Sequence, residues 1–177
     1  MKILKNPIIA ILLTVIIVIG STLISVNSDL SGEAKSVAKS FYKAPKNQIS
    51  QADNMLNLCE IGDKYCELAA QSGTDSSAVA YAVSVLRGDI EKKNLDMDTV
   101  CVHYAALKEE IEVLDMSLFE LMPDRVSALR NEHAPVAAAI DNSYYNDNAV
   151  NFRHKLLKFP AKQFAALLGI QSPPIFF

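Results

Sequence analysis

Several of the sequence patterns that mark enzymes are missing from this chain. Its 177 residues include no tryptophan, only six glycines and three histidines. The chain has no Walker-type phosphate loop, no G-x-G-x-x-G fingerprint and no G-x-S-x-G nucleophile turn. The histidines form no H-E-x-x-H pair, and the cysteines lack the spacing of a zinc site. We therefore predict that the protein is not an enzyme and has no catalytic residues, no metal site and no cofactor.

A complete set of disulfide bonds is also excluded, because the chain has three cysteines. Cys59 and Cys66 lie seven residues apart. On one helix this spacing separates their Cα atoms by about 10 Å, which is too far for a disulfide bond. A bond from Cys101 to either of the other two stays open, and three free buried thiols are the simpler interpretation.

The chain also lacks an excess of basic residues. Lys2 and Lys5 precede a long apolar run, and without them 15 basic residues face 20 acidic ones, a net charge of −5. Binding to nucleic acid depends on Lys and Arg contacts to phosphate groups, so the charge excludes nucleic acid as a partner.

The apolar run itself is the clearest positive feature. Residues 6–28 carry no charged side chain, and about 20 apolar residues in a helix cross the hydrocarbon core of a bilayer. The run is longer than the apolar core of a cleaved signal peptide, which has about 7 to 15 residues. We therefore predict a single-pass transmembrane anchor that contacts the lipid bilayer through residues 6–28. The side chains predicted to form this anchor include Ile8, Leu12, Ile16, Ile19 and Leu23.

Lysines on the two sides of the run bear on its orientation. Two precede it, and four follow it closely, at positions 35, 39, 43 and 46. Since positive residues concentrate in cytoplasmic segments, the count favours a cytoplasmic location for the domain that follows.

Beyond residue 28, apolar residues recur at helical spacing and no strand-like alternation occurs. Four amphipathic helices are predicted. The first is kinked at Pro45 and runs toward Ala70, the second holds the stripe from Val79 to Ile90, and the other two span about 97–121 and 123–159.

Short connections between four such helices favour antiparallel packing. The predicted fold class is therefore all-α, a single transmembrane helix followed by a long antiparallel four-helix bundle. Residues 1–28 form the N-terminal tail and anchor, 29–160 the bundle, and 161–177 an apolar C-terminal tail. We expect this tail to pack near the membrane or on the first predicted helix.

The stretch 144–160, YYNDNAVNFRHKLLKFP, mixes aromatic residues with asparagines. Tyr145, Phe152 and Phe159 repeat every seven residues, which predicts that they form the core of the closing helix. The same periodicity predicts that Asn142, Asn146 and Arg153 are exposed on the polar side of this helix. These three residues form a candidate interaction surface.

Two parts of the chain resemble the LemA family of membrane-anchored bacterial proteins. The first is residues 52–65, ADNMLNLCEIGDKY, and the second is residues 144–177, which end in QSPPIFF. Ser50 and Gln51 stand where the family has an arginine pair, so the chain is identified as a divergent member. The resemblance implies a bacterial cell membrane as the location, an antiparallel four-helix bundle, and no established activity.

These observations favour a scaffold or protein-interaction module at the bacterial membrane, with another membrane or membrane-proximal protein as its partner. The alternative is a ligand-sensing helical bundle coupled to a membrane partner. A ligand-sized apolar cavity between the second and third predicted helices would favour the alternative.

Overall fold

The computed structural model describes residues 7–92 and 96–177, and it has no strand in these ranges. The described ranges contain seven helices: α1 (Pro7–Ser40), α2 (Gln51–Ser72), α3 (Ser77–Glu91), α4 (Met97–Phe119), α5 (Pro123–Asp141), α6 (Tyr144–Leu156) and α7 (Ala161–Leu168). The predicted all-α class and the long apolar helix near the N-terminus are confirmed.

The contacts divide the described chain into two compact units. The first unit comprises residues 7–36 and 151–172, and the second unit comprises residues 37–150 and 173–177. Helices α2, α3, α4 and α5 therefore lie wholly in the second unit.

In the second unit, α2 packs against α3, α4 and α5, and α4 packs against α3 and α5. Helix α2 buries Met55, Leu58, Ile61, Tyr65 and Leu68, which follow each other at steps of three and four residues. The apolar stripe predicted for α3 is buried, and the stripe predicted for α4 is buried except at its two ends. The buried residues are Val79, Val83, Leu86 and Ile90 on α3 and Val100, Tyr104, Leu107, Ile111, Leu114 and Leu118 on α4. Met97 is half-buried, and Leu121, which lies beyond the end of α4, is 60% exposed, so the prediction is wrong at that position.

The first predicted helix of the bundle is wrong as a continuous element. Helix α1 ends at Ser40 and α2 begins at Gln51, and Pro45 lies in the loop between them. Proline has no backbone N–H to continue a helix. The Ser50 hydroxyl then starts α2 by accepting the Asp53 backbone N–H at 3.1 Å.

The last predicted helix is also divided. Helix α5 ends at Asp141 and α6 begins at Tyr144, and α6 ends at Leu156. Tyr145 and Phe152 are buried, whereas Phe159 is 82% exposed. The assignment of Phe159 to the core of the closing helix is therefore corrected: it lies beyond the end of α6, where the helical periodicity no longer applies.

The first unit contains most of α1. Among residues 7–92 and 96–177, α1 is the one helix long and apolar enough to cross a membrane, and its most apolar stretch is not buried. Leu12, Ile16 and Ile19 are exposed and Leu23 is half-buried, whereas the side chain of Ile8 lies outside the described part of the structure. Lys155 of α6 pairs with Asp29 of α1 at 2.9 Å and with Glu33 one turn later.

Residues 161–177, the apolar tail, are divided between the two units. Residues 161–172, which include α7, group with the first unit, and residues 173–177 group with the second. Helix α7 ends at Leu168 and is followed by Gly169, whose φ of 67° is a left-handed conformation that glycine adopts without steric cost.

Candidate functional site

A pocket of about 330 Å³ lies between α2, α4 and α5 of the second unit. It is lined by Tyr65, Ile111, Glu112, Asp115, Met116, Arg130 and His133. The polar side chains come from three helices that the packing of the unit brings together.

A carboxylate organises the polar groups of the pocket. Arg130 donates to Asp115 from Nε at 2.9 Å and from Nη2 at 2.5 Å, and the Tyr65 hydroxyl donates to Asp115 at 2.6 Å. The Arg130 guanidinium lies 4.3 Å from the centroid of the Phe119 ring, a cation–π contact. Helices α2, α4 and α5 are thus joined through one side chain.

Burial alone would raise the pKa of Asp115, but the hydrogen bonds from Arg130 and Tyr65 outweigh it and lower that pKa. Burial raises the pKa of Tyr65, and its bond to Asp115 adds to the effect. At neutral pH the carboxylate is charged and the phenol keeps its proton. Tyr65 is therefore a hydrogen-bond donor and is poorly suited to act as a nucleophile or base.

His133 adds an imidazole to the same pocket. Its Nε2 atom is buried and has no hydrogen-bond partner in the described structure. Burial lowers the pKa of His133, and Lys108 lowers it further, whereas Asp115 and Glu112 raise it. The net effect keeps the ring neutral near pH 7.

A second charged cluster links α3 to α4. Asp89 is buried and contacts both Lys92 and His103. The hydrogen bond from Lys92 lowers the pKa of Asp89, with His103 contributing in the same direction. Because its groups are already paired with one another, the cluster is suited to stabilising the connection between the two helices.

All three cysteines are free thiols. Burial raises the pKa of Cys59 to about 11 and raises those of Cys66 and Cys101 as well. A raised thiol pKa disfavours the reactive thiolate at neutral pH. Within residues 7–92 and 96–177, no group of three or more His, Cys, Asp or Glu side chains is placed to hold a metal ion.

The residues of the candidate interaction surface fall in different environments. Asn142 is exposed and lies at the edge of a pocket of about 260 Å³ that includes Gln48, Asn54 and Tyr144. Arg153 is exposed and belongs to the first unit. Asn146 is only 3% exposed, so its assignment to a surface is corrected.

Asn146 lies in the first turn of α6, just after the break that follows α5. Its side-chain amide donates to the backbone oxygens of Ile140 at 3.0 Å and Asp141 at 3.1 Å. The same amide donates to the backbone oxygen of Phe176 at 2.5 Å, and its Oδ1 accepts the Phe176 N–H at 3.1 Å. One side chain therefore ties the end of α5 to the segment 173–177.

The ring of Phe176 completes an aromatic cluster in the second unit. Its centroid lies 5.9 Å from that of Phe41, 5.7 Å from that of Tyr104 and 5.5 Å from that of Tyr145. The Tyr145 hydroxyl donates to the Pro174 oxygen at 3.0 Å, and Lys108 donates to the Phe177 oxygen at 2.6 Å. Sequence reasoning missed this arrangement, although the proline pair before two phenylalanines is a pattern that excludes a helix and favours an extended segment.

Comparison of the chain with protein-family models, curated proteins and solved structures finds no match. The resemblance to the LemA family stays a prediction that depends on the residues quoted for it.

Proposed function

We propose that the protein is a membrane-anchored, LemA-like helical-bundle protein that acts as a scaffold or protein-interaction module at the bacterial cell membrane. Residues 6–28 anchor it in the bilayer, and α2, α3, α4 and α5 form an antiparallel four-helix bundle on the cytoplasmic side. It performs no chemistry of its own. Its partner is another membrane or membrane-proximal protein.

The main support for this proposal is the outward face of α4. Val102, Val113 and Met116 are each more than half exposed, on the side of the helix opposite its buried stripe. Glu109 and Glu112 are exposed between them. Because this face is both apolar and acidic, it fits a partner helix that presents apolar and basic side chains.

The chemistry of the pocket supports a scaffold over an enzyme. The Asp115 carboxylate is held by Arg130 and Tyr65, and a raised pKa keeps the Tyr65 phenol protonated. Asp115, Arg130 and Tyr65 stabilise the packing of three helices, and none of these three groups is an activated base or nucleophile.

Site-specific photocrosslinking in the intact membrane tests the interaction. We expect a photoreactive residue at Val113 of the full chain to form a discrete adduct with a second protein. Substituting Val102 with Glu should weaken that adduct, because it adds a charge to the apolar face and Val102 does not line the pocket.

The matched control places the same photoreactive residue at Ser84, which is exposed on α3. Identical adducts from Val113 and Ser84, or none from Val113, would overturn the assignment of the α4 face.

A ligand-sensing bundle is the second candidate, and the pocket of about 330 Å³ is the observation that favours it. Small aromatic probes such as benzamidine and benzoate, titrated to about 1 mM, should then shift the imidazole NMR signals of His133. His154 is exposed outside the pocket and serves as the control. Unchanged His133 signals throughout both titrations would count against sensing through this pocket.

A further inference from the structure

The segment 173–177 is held in the second unit in the way that a peptide ligand is held by a receptor. Four helical side chains, those of Asn146, Tyr145, Lys108 and Tyr104, surround it together with Phe41. Phe176 is fully buried, whereas the neighbouring Phe177 is 69% exposed. One aromatic side chain therefore anchors the segment and the next one points away from the core.

The contacts to the backbone are of the kind that recognise an extended chain. Asn146 pairs with both the N–H and the backbone oxygen of Phe176, which occupies the hydrogen-bonding groups of that residue with one amide. The Tyr145 hydroxyl donates to the backbone oxygen of Pro174, two positions before Phe176. Lys108 donates to the backbone oxygen of Phe177, one position after it. The remaining specificity comes from the ring of Phe176 in its aromatic cluster.

The path of the chain makes this segment separable from the unit that holds it. The first stretch of the second unit ends at Val150, residues 151–172 belong to the first unit, and residues 173–177 belong to the second unit again. No helix connects the segment to α7, because residues 170–177 have no regular secondary structure. The segment is thus bound by side-chain and backbone contacts and not by continuity with a helix of the second unit.

We infer that Phe41, Tyr104, Lys108, Tyr145 and Asn146 form a peptide-recognition groove, filled here by the chain's own residues 173–177, and that a second copy of this chain can supply the same segment in exchange. The ligand class is an extended peptide in which a proline pair precedes an aromatic anchor. Exchange of an identical element between copies loses few contacts, since each groove regains the same bonds. Where copies share a bilayer, which rests on the proposed anchoring, their local concentration favours the exchange.

A binding experiment with a synthetic peptide tests the groove independently of the membrane. The receptor is the chain truncated after Ser172 in detergent, with its helicity checked by circular dichroism, and the probe is a fluorescent, amidated peptide of residues 170–177. We expect saturable binding by anisotropy. The peptide with Phe176→Ala should bind more than about tenfold more weakly, because it loses a buried ring. The peptide with Phe177→Ala is the matched control and should bind within about threefold of the original.

The receptor side has its own variant. Asn146→Ala in the truncated chain should weaken binding of the unaltered peptide by a similar factor, because the two backbone hydrogen bonds are lost. If the truncated chain does not fold, the full chain with Phe176→Ala is the receptor, since its groove lacks the ring. Absence of saturable binding by a folded receptor would overturn the groove.

Pull-down between differently tagged copies tests the exchange. One copy ends after Ser172, and the other is full length with Asn146→Ala, so that its own segment is loosened. We expect these copies to associate, and to continue to do so when the second copy also has Phe177→Ala but not when it has Phe176→Ala. Peptide binding without association of the copies would overturn the second copy as the partner and would leave both the groove and the proposed scaffold function standing.

Discussion

Gly62 lies at a close approach between two helices of the second unit. A Cβ atom at this position of α2 would lie 2.5 Å from Cγ2 of Val83 on α3 and 3.6 Å from Cδ1 of Leu107 on α4. We expect Gly62→Ala to lower the free energy of unfolding by about 1 to 3 kcal/mol, even though alanine favours a helix by about 1 kcal/mol. Chemical denaturation followed by circular dichroism measures the change.

Gly88 is the matched control, because in the described structure a Cβ placed there meets no atom within 4 Å beyond its chain neighbours and the backbone of its own helix. Gly88→Ala should raise the free energy of unfolding by about 0.5 to 1 kcal/mol through helix propensity alone. Adding Val83→Ala to Gly62→Ala should restore part of the loss by removing the clash. Equal effects of the two glycine substitutions would contradict the close packing of α2 on α3.

His133 makes the stability of the second unit depend on pH. Burial lowers its pKa in the folded protein, so the unfolded chain, in which the ordinary value is about 6.5, binds more protons in mildly acidic solution. The contribution of His133 to stability is therefore complete above about pH 6.5 and is lost as the pH falls toward the lowered folded value. We expect the free energy of unfolding to drop between pH 7.5 and pH 5.5, and His133→Gln to make that drop smaller.

His154 provides the comparison, because it is exposed at the end of α6. His154→Gln should leave the pH profile of unfolding unchanged. If both substitutions alter the profile equally, or neither does, the buried imidazole is not the group responsible.

At the scale of the element, Ser50 decides where α2 begins. Its hydroxyl accepts the Asp53 N–H and donates to the Asp53 carboxylate at 2.6 Å, which satisfies a backbone donor that the first turn would otherwise leave unpaired. Ser50→Ala should therefore lower the free energy of unfolding by about 1 kcal/mol. Thermal unfolding followed at the helical circular dichroism band detects it.

Ser76 occupies the same position before α3, but its side chain makes no capping hydrogen bond. Ser76→Ala should change stability by less than about 0.5 kcal/mol. A loss at Ser76 as large as that at Ser50 would show that the hydroxyl bond is not the source of the effect.

The apolar stripes of α3 and α4 could be predicted from the sequence because each helix is uninterrupted, so one periodicity applies along its whole length. The breaks between α1 and α2 and between α5 and α6 could not be predicted, since apolar residues can keep their helical spacing on both sides of a loop. After the second break Tyr145 and Phe152 are buried as the stripe requires, and Asn146 is buried beside Tyr145 because its amide bonds to the backbone of Ile140 and Phe176.

The polar pocket could not be predicted at all from one sequence. Asp115 meets Tyr65, which is 50 positions away, and Arg130, which is 15 positions away. The three residues lie on three helices, and no motif of fixed spacing links them. Their meeting follows from how α2, α4 and α5 pack, which depends on apolar contacts that the local pattern does not specify.

At the scale of the whole molecule, two segments near the C-terminus group with parts of the chain that lie far before them in sequence. Residues 151–172 group with the start of the chain, and residues 173–177 group with the helices before them. Contacts between residues so far apart in sequence close long loops, and each closure costs conformational entropy that local helices do not. The late segments are therefore expected to form after α2, α3 and α4 have packed.

The exposed apolar surface of α1 leads to the last prediction, which concerns the anchor. The side chains of Leu12 and Ile16 are 56% and 63% exposed, and an aspartate at the centre of a membrane-spanning helix costs about 2.5 to 3.5 kcal/mol. We expect the full chain to stay in the membrane pellet after alkaline carbonate extraction, and the double variant Leu12→Asp, Ile16→Asp to appear in the soluble fraction. The variant Ser31→Asp, Ser36→Asp adds the same charge beyond the apolar run and should stay in the pellet. If the double aspartate variant also resists extraction, residues 6–28 are not what holds the protein in the membrane.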